Sequence, residues 1–504
     1  MKVWIARNTL WLVALCGVAM LVLEEAADAR IGGGQGYGRS GGGRSSSGGG
    51  GGGGGEAEIL FLILRLCIEY PAIGIPLLIV FVGFMIARYL FDNMGSRRVN
   101  RTHGAATTRV VARRPRRTGL EHLRDRDKAF SLPVLYDYMI LVHRRAYAAM
   151  GTKNWGPLEP FVSTAAIEDI KRENRGVKSV SEIVVGSVSL TRIQPKKSLT
   201  LLTIQFESTR VEQTAKGERR ALVHETWTFR RAADAQSLSP EDVMRMGCPS
   251  CGAAVESTTM GACQNCDTPI TTGQLQWQAL SVDVKRRRPV KAPEVGFVQG
   301  GDEGSVHLGT VVAADLSAQQ RNLLGRHPDF EMDVFEGRVR TIYYQLQEAW
   351  SAGRYNDIRP HVTDTMYQTL RFWIEKYTTA KLRNQLDDVK LLKVAVVRID
   401  VDAWYESITV RIWGEMKDYV VDESGKVVGG NAKTARRFSE YWTLLRAAGS
   451  PDGTSDGIHC PSCGAPLDNV SAAGICGYCD TKITTGQFDW VLSRIEQCEA
   501  YKGG

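Results

Sequence analysis

Cys248-Pro249-Ser250-Cys251-Gly252-Ala253 recurs as Cys460-Pro461-Ser462-Cys463-Gly464-Ala465, and Ile270-Thr271-Thr272-Gly273-Gln274 recurs as Ile483-Thr484-Thr485-Gly486-Gln487. Trp277 and Trp490 follow at the same distance. Upstream, Glu225-x-Trp227-Thr228 matches Glu440-x-Trp442-Thr443, and Pro160-Phe161-Val162-Ser163 matches Pro360-His361-Val362-Thr363. Self-similarity at nearly constant offset marks a duplicated unit. Two copies of one domain are therefore expected, at 129–288 and 328–504, with a linker at 289–327.

In the second copy, Val334, Phe335, Val339, Ile342, Leu346, Ala349 and Trp350 form a helical stripe that predicts a helix over 333–352. A second helix is expected over 364–384, after the Arg359-Pro360 turn. Alternating runs at 391–403, 406–421 and 436–446, a glycine-rich turn at 425–430 and a last run at 487–495 predict strands. The first copy reads alike, with helices at 133–150 and 164–172 and strands near 182–193, 198–213 and 219–231. Helices followed by a meandering antiparallel sheet make an α+β fold.

Eight of the eleven cysteines sit in four Cys-x-x-Cys pairs, the arrangement that tetrahedral thiolate coordination requires and disulfides do not. The ligand sets are Cys248, Cys251, Cys263 and Cys266, and Cys460, Cys463, Cys476 and Cys479, on hairpins at 246–272 and 458–485 inserted between the last two strands of each copy. Four sulfurs leave no open position for water, so two structural zinc ions are expected in a reducing compartment. Arg245 and Arg446 are candidates to screen the thiolate charge, Asp267 and Asp480 to cap their turns through their side chains, and His459 is read as solvated. Cys16, Cys67 and Cys498 read as small buried hydrophobes.

The first quarter of the chain reads as membrane-directed. Lys2 and Arg7 precede an uncharged run, and Ala27-Asp28-Ala29 supplies a cleavage pattern, so 1–29 reads as a signal peptide, with an uncleaved anchor helix as the alternative. A Gly/Ser-rich linker covers 30–56, and a membrane segment 59–91 has its core span at 71–90. Pro71, Gly74, Pro76 and Gly83 suit a membrane helix better than a soluble one. The net charge of +8 is concentrated in the juxtamembrane stretch 92–128, which contains Arg97, Arg98, Arg101, Arg109, Arg113, Arg114, Arg116 and Arg117. Positive residues just past a span stay cytoplasmic, which places both large domains in the cytoplasm, and the same arginines could rest on anionic lipid.

Gln347-Glu348-Ala349-Trp350, Arg359-Pro360, Gly414-Glu415-Met416-Lys417-Asp418-Tyr419 and Arg436-Arg437-Phe438-Ser439-Glu440-Tyr441-Trp442-Thr443 resemble motifs of the Tim44-like family. The resemblance is to bacterial proteins related to the C-terminal domain of the mitochondrial import-motor anchor, and it is clearest over 329–446. It implies two tandem cone-shaped domains similar to nuclear transport factor two, with helices closing one side of a curved sheet around an apolar pocket. It also implies attachment to an inner membrane and the gathering of protein partners there. The zinc hairpins depart from the usual family pattern.

The reading that absorbs most of these features is a noncatalytic membrane-anchored adaptor that binds proteins, and lipid as a further option, in translocation or membrane-protein assembly. An enzyme using the cone pocket is an alternative, with Asp400, Asp402 and Tyr405 as candidates, although Ile399, Val401 and Ala403 alternate so as to turn both aspartates to one face. A nucleic-acid or ribosome-binding zinc ribbon is the third reading. It is disfavoured because Lys482 is the one base on the second hairpin and none lies between the ligands of the first. Trp227, Trp350, Trp404 and Trp442 are expected in the core rather than in a ligand cage.

Overall fold

The computed structural model describes residues 109–111, 119–255, 258–259, 261–290, 301–450, 458–501 and 503. The expected signal or anchor, the Gly/Ser linker, the membrane segment, most of the arginine-rich stretch, Cys16 and Cys67 lie outside the described residues. Among the described residues, no helix is long and apolar enough to cross a membrane.

A short strand, β1 (Arg109–Val111), precedes α1 (Gly119–Arg126), which buries Leu123 against the first core. Residues 119–126 were expected within a linker; the buried leucine shows why they fold. Helix α2 (Leu132–Thr152) carries Pro133 in its first turn, where a missing N–H costs nothing, and ends at Lys153 in the left-handed conformation. A 3-10 turn leads to α3 (Thr164–Glu173), whose Ser163 cap accepts the Ala166 N–H at 3.2 Å. Strands β2 (Val177–Pro195), β3 (Leu199–Thr214) and β4 (Gly217–Ala232) follow, then α4 (Pro240–Arg245). The small ribbon strands β5 (Thr258–Thr259) and β6 (Ala262–Cys263) precede β7 (Gln278–Pro289), which closes an antiparallel sheet of order β2-β3-β4-β7.

The same order of elements then recurs. After β8 (Gly301–Asp302), α5 (Gly304–His307), β9 (Thr310–Val312) and α6 (Leu316–Arg326) come α7 (Met332–Ala352) and α8 (Asp364–Thr379). Strands β10 (Leu382–Val401), β11 (Tyr405–Asp422), β12 (Val427–Ala447) and β13 (Val491–Gln497) form an antiparallel sheet in that order, with β8 added in parallel to β12. The ribbons enter between the last two antiparallel strands of each sheet, as expected.

Several boundaries differ from the sequence reading. The helix expected to reach residue 384 ends at Thr379: Lys381 takes φ +57° and β10 begins at Leu382, because Leu386 is needed in the sheet face that packs on α7. The expected 425–430 turn is shorter, since Gly429 and Gly430 already pair with Val420 and Tyr419. The last strand runs over 491–497 rather than 487–495, leaving Cys498 just past its end, 92 % buried. The expected linker is largely structured: α6 buries Leu323 in the second core, and β9 pairs in parallel with β1.

The repeated motifs acquire physical reasons. The residue after Val162 and the one after Val362 donate backbone N–H groups to Ala279 and Leu492 of the last strand, at 2.9 and 3.0 Å, and then cap the next helix. Trp227 and Trp442 are both fully buried, and each donates its indole N–H to the glutamate two residues earlier on the same sheet face, at 3.4 and 3.1 Å. Trp350 is buried too, whereas Trp404 is half-buried and donates to Ala129 O at 2.9 Å, tying the second unit to the first. The helix-facing side of the second sheet, where a pocket was expected, is filled by Tyr343, Leu346, Trp350, Met416 and Trp442.

Glu225 anchors a fully buried polar cluster in the first unit. It faces His143 Nε2 at 2.7 Å, accepts from Arg210 Nη1 at 3.2 Å and takes the Tyr147 hydroxyl hydrogen bond. Burial alone would raise its pKa; the hydrogen bond from His143 and the charges of His143 and Arg210 outweigh that and hold it at about 2. A carboxyl depressed on folding adds stability that is present above its unfolded value and disappears as pH falls through the folded one. Stability to urea is therefore expected to fall between pH 4.5 and about 2, and Glu225→Gln is expected to flatten that fall. An unchanged pH slope in the variant would assign the acid sensitivity to other carboxyls.

Candidate metal centres

Each ribbon begins with a backbone turn that its sequence dictates. Gly252 and Gly464 both take φ +74° and donate their N–H to the carbonyls of Cys248 and Cys460 at 2.8 Å, while the cysteine N–H groups return to Ala253 and Ala465 at 2.7 Å. A side chain at these glycines would strain the left-handed backbone. The second knuckle repeats the device without glycine: Asp267 and Asp480 take φ +55° and +57° and donate to the carbonyls of Cys263 and Cys476 at 2.9 and 3.0 Å. Their expected role as side-chain caps is thus replaced by a backbone one, Asp being among the few residues that tolerate this region.

These turns bring four sulfurs together twice, within 4.8 Å of one another in each set. Among them, Cys248 and Cys266 lie 3.8 Å apart and Cys251 and Cys263 3.9 Å, with Cys460–Cys479 at 3.8 Å and Cys463–Cys476 at 4.0 Å in the second set. A tetrahedron with metal–sulfur bonds of ~2.3 Å has edges of about 3.8 Å, whereas a disulfide needs about 2 Å. The eight cysteines expected as ligands are therefore the ones the fold assembles, into two sites that could each hold a metal ion.

The ribbon supplies donors to the sulfurs. Ser250 and Asn265 point backbone N–H groups at Cys248 and Cys263, both at 3.4 Å. Hydrogen bonds from Thr268 and Thr481 bring the thiols of Cys266 and Cys479 down to about 6, whereas burial pushes Cys248 up to about 12. Ser250 contacts Thr268 and Ser462 contacts Thr481, each at 3.2 Å, cross-linking the two knuckles of each site. A bound ion favours thiolates, and the hydrogen bonds at Cys266, Cys479 and Cys251 favour the same form.

The arginines expected near the thiolates sit elsewhere. Arg446 is fully buried, donates to Glu406 at 2.9 Å and stacks over Trp490 at 4.8 Å; Arg245 is exposed and pairs with Asp242 at 3.3 Å. Arg446 is a core residue because the sheet alternation that buries Trp442 also turns position 446 inward, and Arg231 stacks over Trp277 at 4.4 Å in the same way. His459 is exposed, as expected, on a bridge with Pro466.

The Ile-Thr-Thr-Gly-Gln repeats fasten the ribbons to the sheets. Ile270 and Ile483 are buried beside the cysteines, and Gly273 and Gly486, at φ +70° and +76°, accept the N–H of Ala232 and Ala447 at 2.9 Å. A Cβ on Gly486 would lie 2.9 Å from Arg446 Cα. The second ribbon is held further by Lys482, whose ammonium meets Asp364 at 2.6 Å, and by Arg359, which donates to Ala472 O at 3.0 Å.

The catalytic candidates are structural in their contacts. Asp400 pairs with Arg398, and Asp402 accepts the N–H groups of Trp404 and Tyr405 at 2.9 and 2.8 Å, shaping the β10–β11 turn. Tyr405 instead lines a cavity between the two units together with Asp137, Asp364 and Lys482. Sequence reasoning missed that group because its members come from distant segments; Asp137 and Thr365, which hydrogen bond, are 228 residues apart.

Residues 316–454 match the family described as the Tim44-like domain. The match begins at the first residue of α6 and runs through β12, and it stops before the second ribbon. The first unit shares the element order but lies outside the match. No curated protein matches the chain.

Cys463→Ser is expected to lower the bound metal to half and to expose 458–485 to protease while the first site stays loaded. Full metal content and unchanged protease resistance in that variant would remove Cys463 from the ligand set.

Proposed function

We propose that this protein is a noncatalytic adaptor, tethered to a bacterial inner membrane by its N-terminal segment, that gathers protein partners on the cytoplasmic side for translocation or membrane-protein assembly. The observation that carries this reading is the Tim44-like domain at residues 316–454. Three features support it. The apolar run at 71–90 followed by an arginine-rich stretch suits a span with the folded units on the cytoplasmic side. The four-sulfur sites have no vacant coordination position once filled, which suits structure and not catalysis. The helix-facing side of the second sheet is packed with side chains, and on the opposite face the buried Arg411 is engaged by Ser439, Thr310 and two backbone carbonyls.

The metal is proposed to be zinc at both sites. Four thiolates at tetrahedral spacing select a soft or borderline ion, and zinc has no geometric preference that this arrangement would violate. The first unit is proposed to be a divergent second copy of the same domain, because it repeats both the element order and the Glu-x-Trp-Thr contact. The domain limits proposed from the sequence move accordingly, with the second unit starting near 301, where β8 joins its sheet.

Affinity capture of the detergent-extracted full chain from native membranes tests this, with elemental analysis of the same sample. Recovery of translocase, chaperone or other membrane-protein partners with about two zinc ions per chain is expected. Recovery of ribosomes or nucleic acid, or a turnover activity lost on Asp402→Asn, would overturn the adaptor reading.

A further inference from the structure

The two units meet along a seam that leaves a cavity of about 290 Å³ between α2 of the first and the start of α8, β13 and the ribbon of the second. Asp137 of α2 accepts a hydrogen bond from the Thr365 hydroxyl across this seam. The adjacent carboxylate, Asp364, is already served by Arg359, by Lys482 at 2.6 Å and by Thr484 at 3.5 Å. Asp137 forms no ion pair among the described residues and depends on one hydroxyl.

Other groups here also lack partners. Thr485 lines the same cavity, and its buried hydroxyl oxygen has no hydrogen bond. Tyr501 is 96 % buried, its hydroxyl is likewise unpartnered, and it lines an adjoining cavity of about 140 Å³ that shares Tyr405 and Arg494 with the first. The rest of the main wall includes Val188, Met244, Met366 and Leu445, with Glu241 and Glu496 at its margin. An anion would meet four carboxylates here against two cations, Lys482 and Arg494, which already pair with Asp364 and Glu496, and a neutral solute would leave Asp137 uncompensated. An aliphatic cation suits both the charge and the apolar wall.

We infer that this cavity binds a small organic cation, an ammonium or guanidinium group on a methylene chain, with its charge on Asp137 and its chain along Met244, Met366 and Leu445. The surroundings of Asp137 agree. Burial, then the facing Asp364, push it up to about 7, while the Thr365 hydrogen bond, Lys482 and Arg359 pull it down; Tyr405, which also faces it, is itself pushed up by burial. A cation takes the ionised carboxyl, so binding strengthens as pH rises through that value.

Titration calorimetry on the full chain in detergent, with both metal sites loaded, tests it. The probes are agmatine and butane-1,4-diamine, with butane-1,4-diol as the neutral control and a capped arginine-containing peptide to separate a free cation from a side chain. The cations are expected to bind more tightly at pH 8 than at pH 6 (roughly one unit either side of the Asp137 value) and the diol not at all. Asp137→Asn is expected to weaken binding about tenfold or more with metal content unchanged. Thr365→Val, a second variant that keeps the carboxyl, is expected to move the pH midpoint of binding upward. Binding by the peptide alone would assign the cation to a polypeptide and keep the site. Equal binding of diol and diamine, no binding by any cation, or affinity unchanged in both variants would overturn it.

Discussion

Each ribbon returns to its sheet through a backbone approach that only glycine permits, and much of the structure depends on it. Gly273 and Gly486 accept the N–H of the residue that ends β4 and β12, so the cysteine-bearing hairpin leaves and rejoins the sheet at one point. A side chain there would sit 2.9 to 3.1 Å from the backbone of Arg446 or Arg230. Immediately after the approach, Trp277 and Trp490 enter the core, and the guanidinium groups of Arg231 and Arg446 sit over their rings. The four-sulfur site, the last strand and a buried cation–π pair are thus coupled through one turn. Loss of metal should be felt in the sheet as well as in the hairpin.

The two units are alike in order and unlike in their buried polar chemistry. Glu225 gathers His143, Tyr147 and Arg210, whereas Glu440 meets Trp442 and Gln497. A buried carboxylate tolerates no missing partner, so each unit has solved the same constraint with its own neighbours. The family match is confined to residues 316–454, yet both units keep a buried glutamate that accepts the indole N–H of a tryptophan two residues on. The inter-unit seam adds a level that neither unit has alone: the second ribbon reaches Asp364 through Lys482, and Asp364 faces Asp137 of the first unit.

Much of this was legible in the sequence for identifiable reasons. Cysteine clusters of this kind are local: two Cys-x-x-Cys turns joined by a short hairpin leave four sulfurs few other places to go, and the eight thiols gather in two sets of four. Helix and strand periodicity placed α2, α3, α7 and the central strands. The errors occurred where tertiary contacts overrode local pattern. Residues 380–384 read as helical until the sheet claimed Leu386, and 301–327 read as linker although Leu323 and β8 belong to the second unit. Arg446 read as a screening charge because its nearest cysteine is close in sequence; strand alternation turned it inward instead.

The sequence by itself determined the recurrence of the motifs, the α+β class, the gathering of eight thiols in two sets of four and the glycines that shape their turns, because each follows from periodicity or from chemistry within a few residues. Only the tertiary structure decided which charges are buried and which distant carboxylates meet. Asp137 and Asp364 face each other across the seam between two units whose packing no local pattern encodes. The physical reason is that turns and cysteine clusters draw their free energy from neighbouring residues in the chain, whereas the protonation of a half-buried acid is set by whatever the fold brings against it.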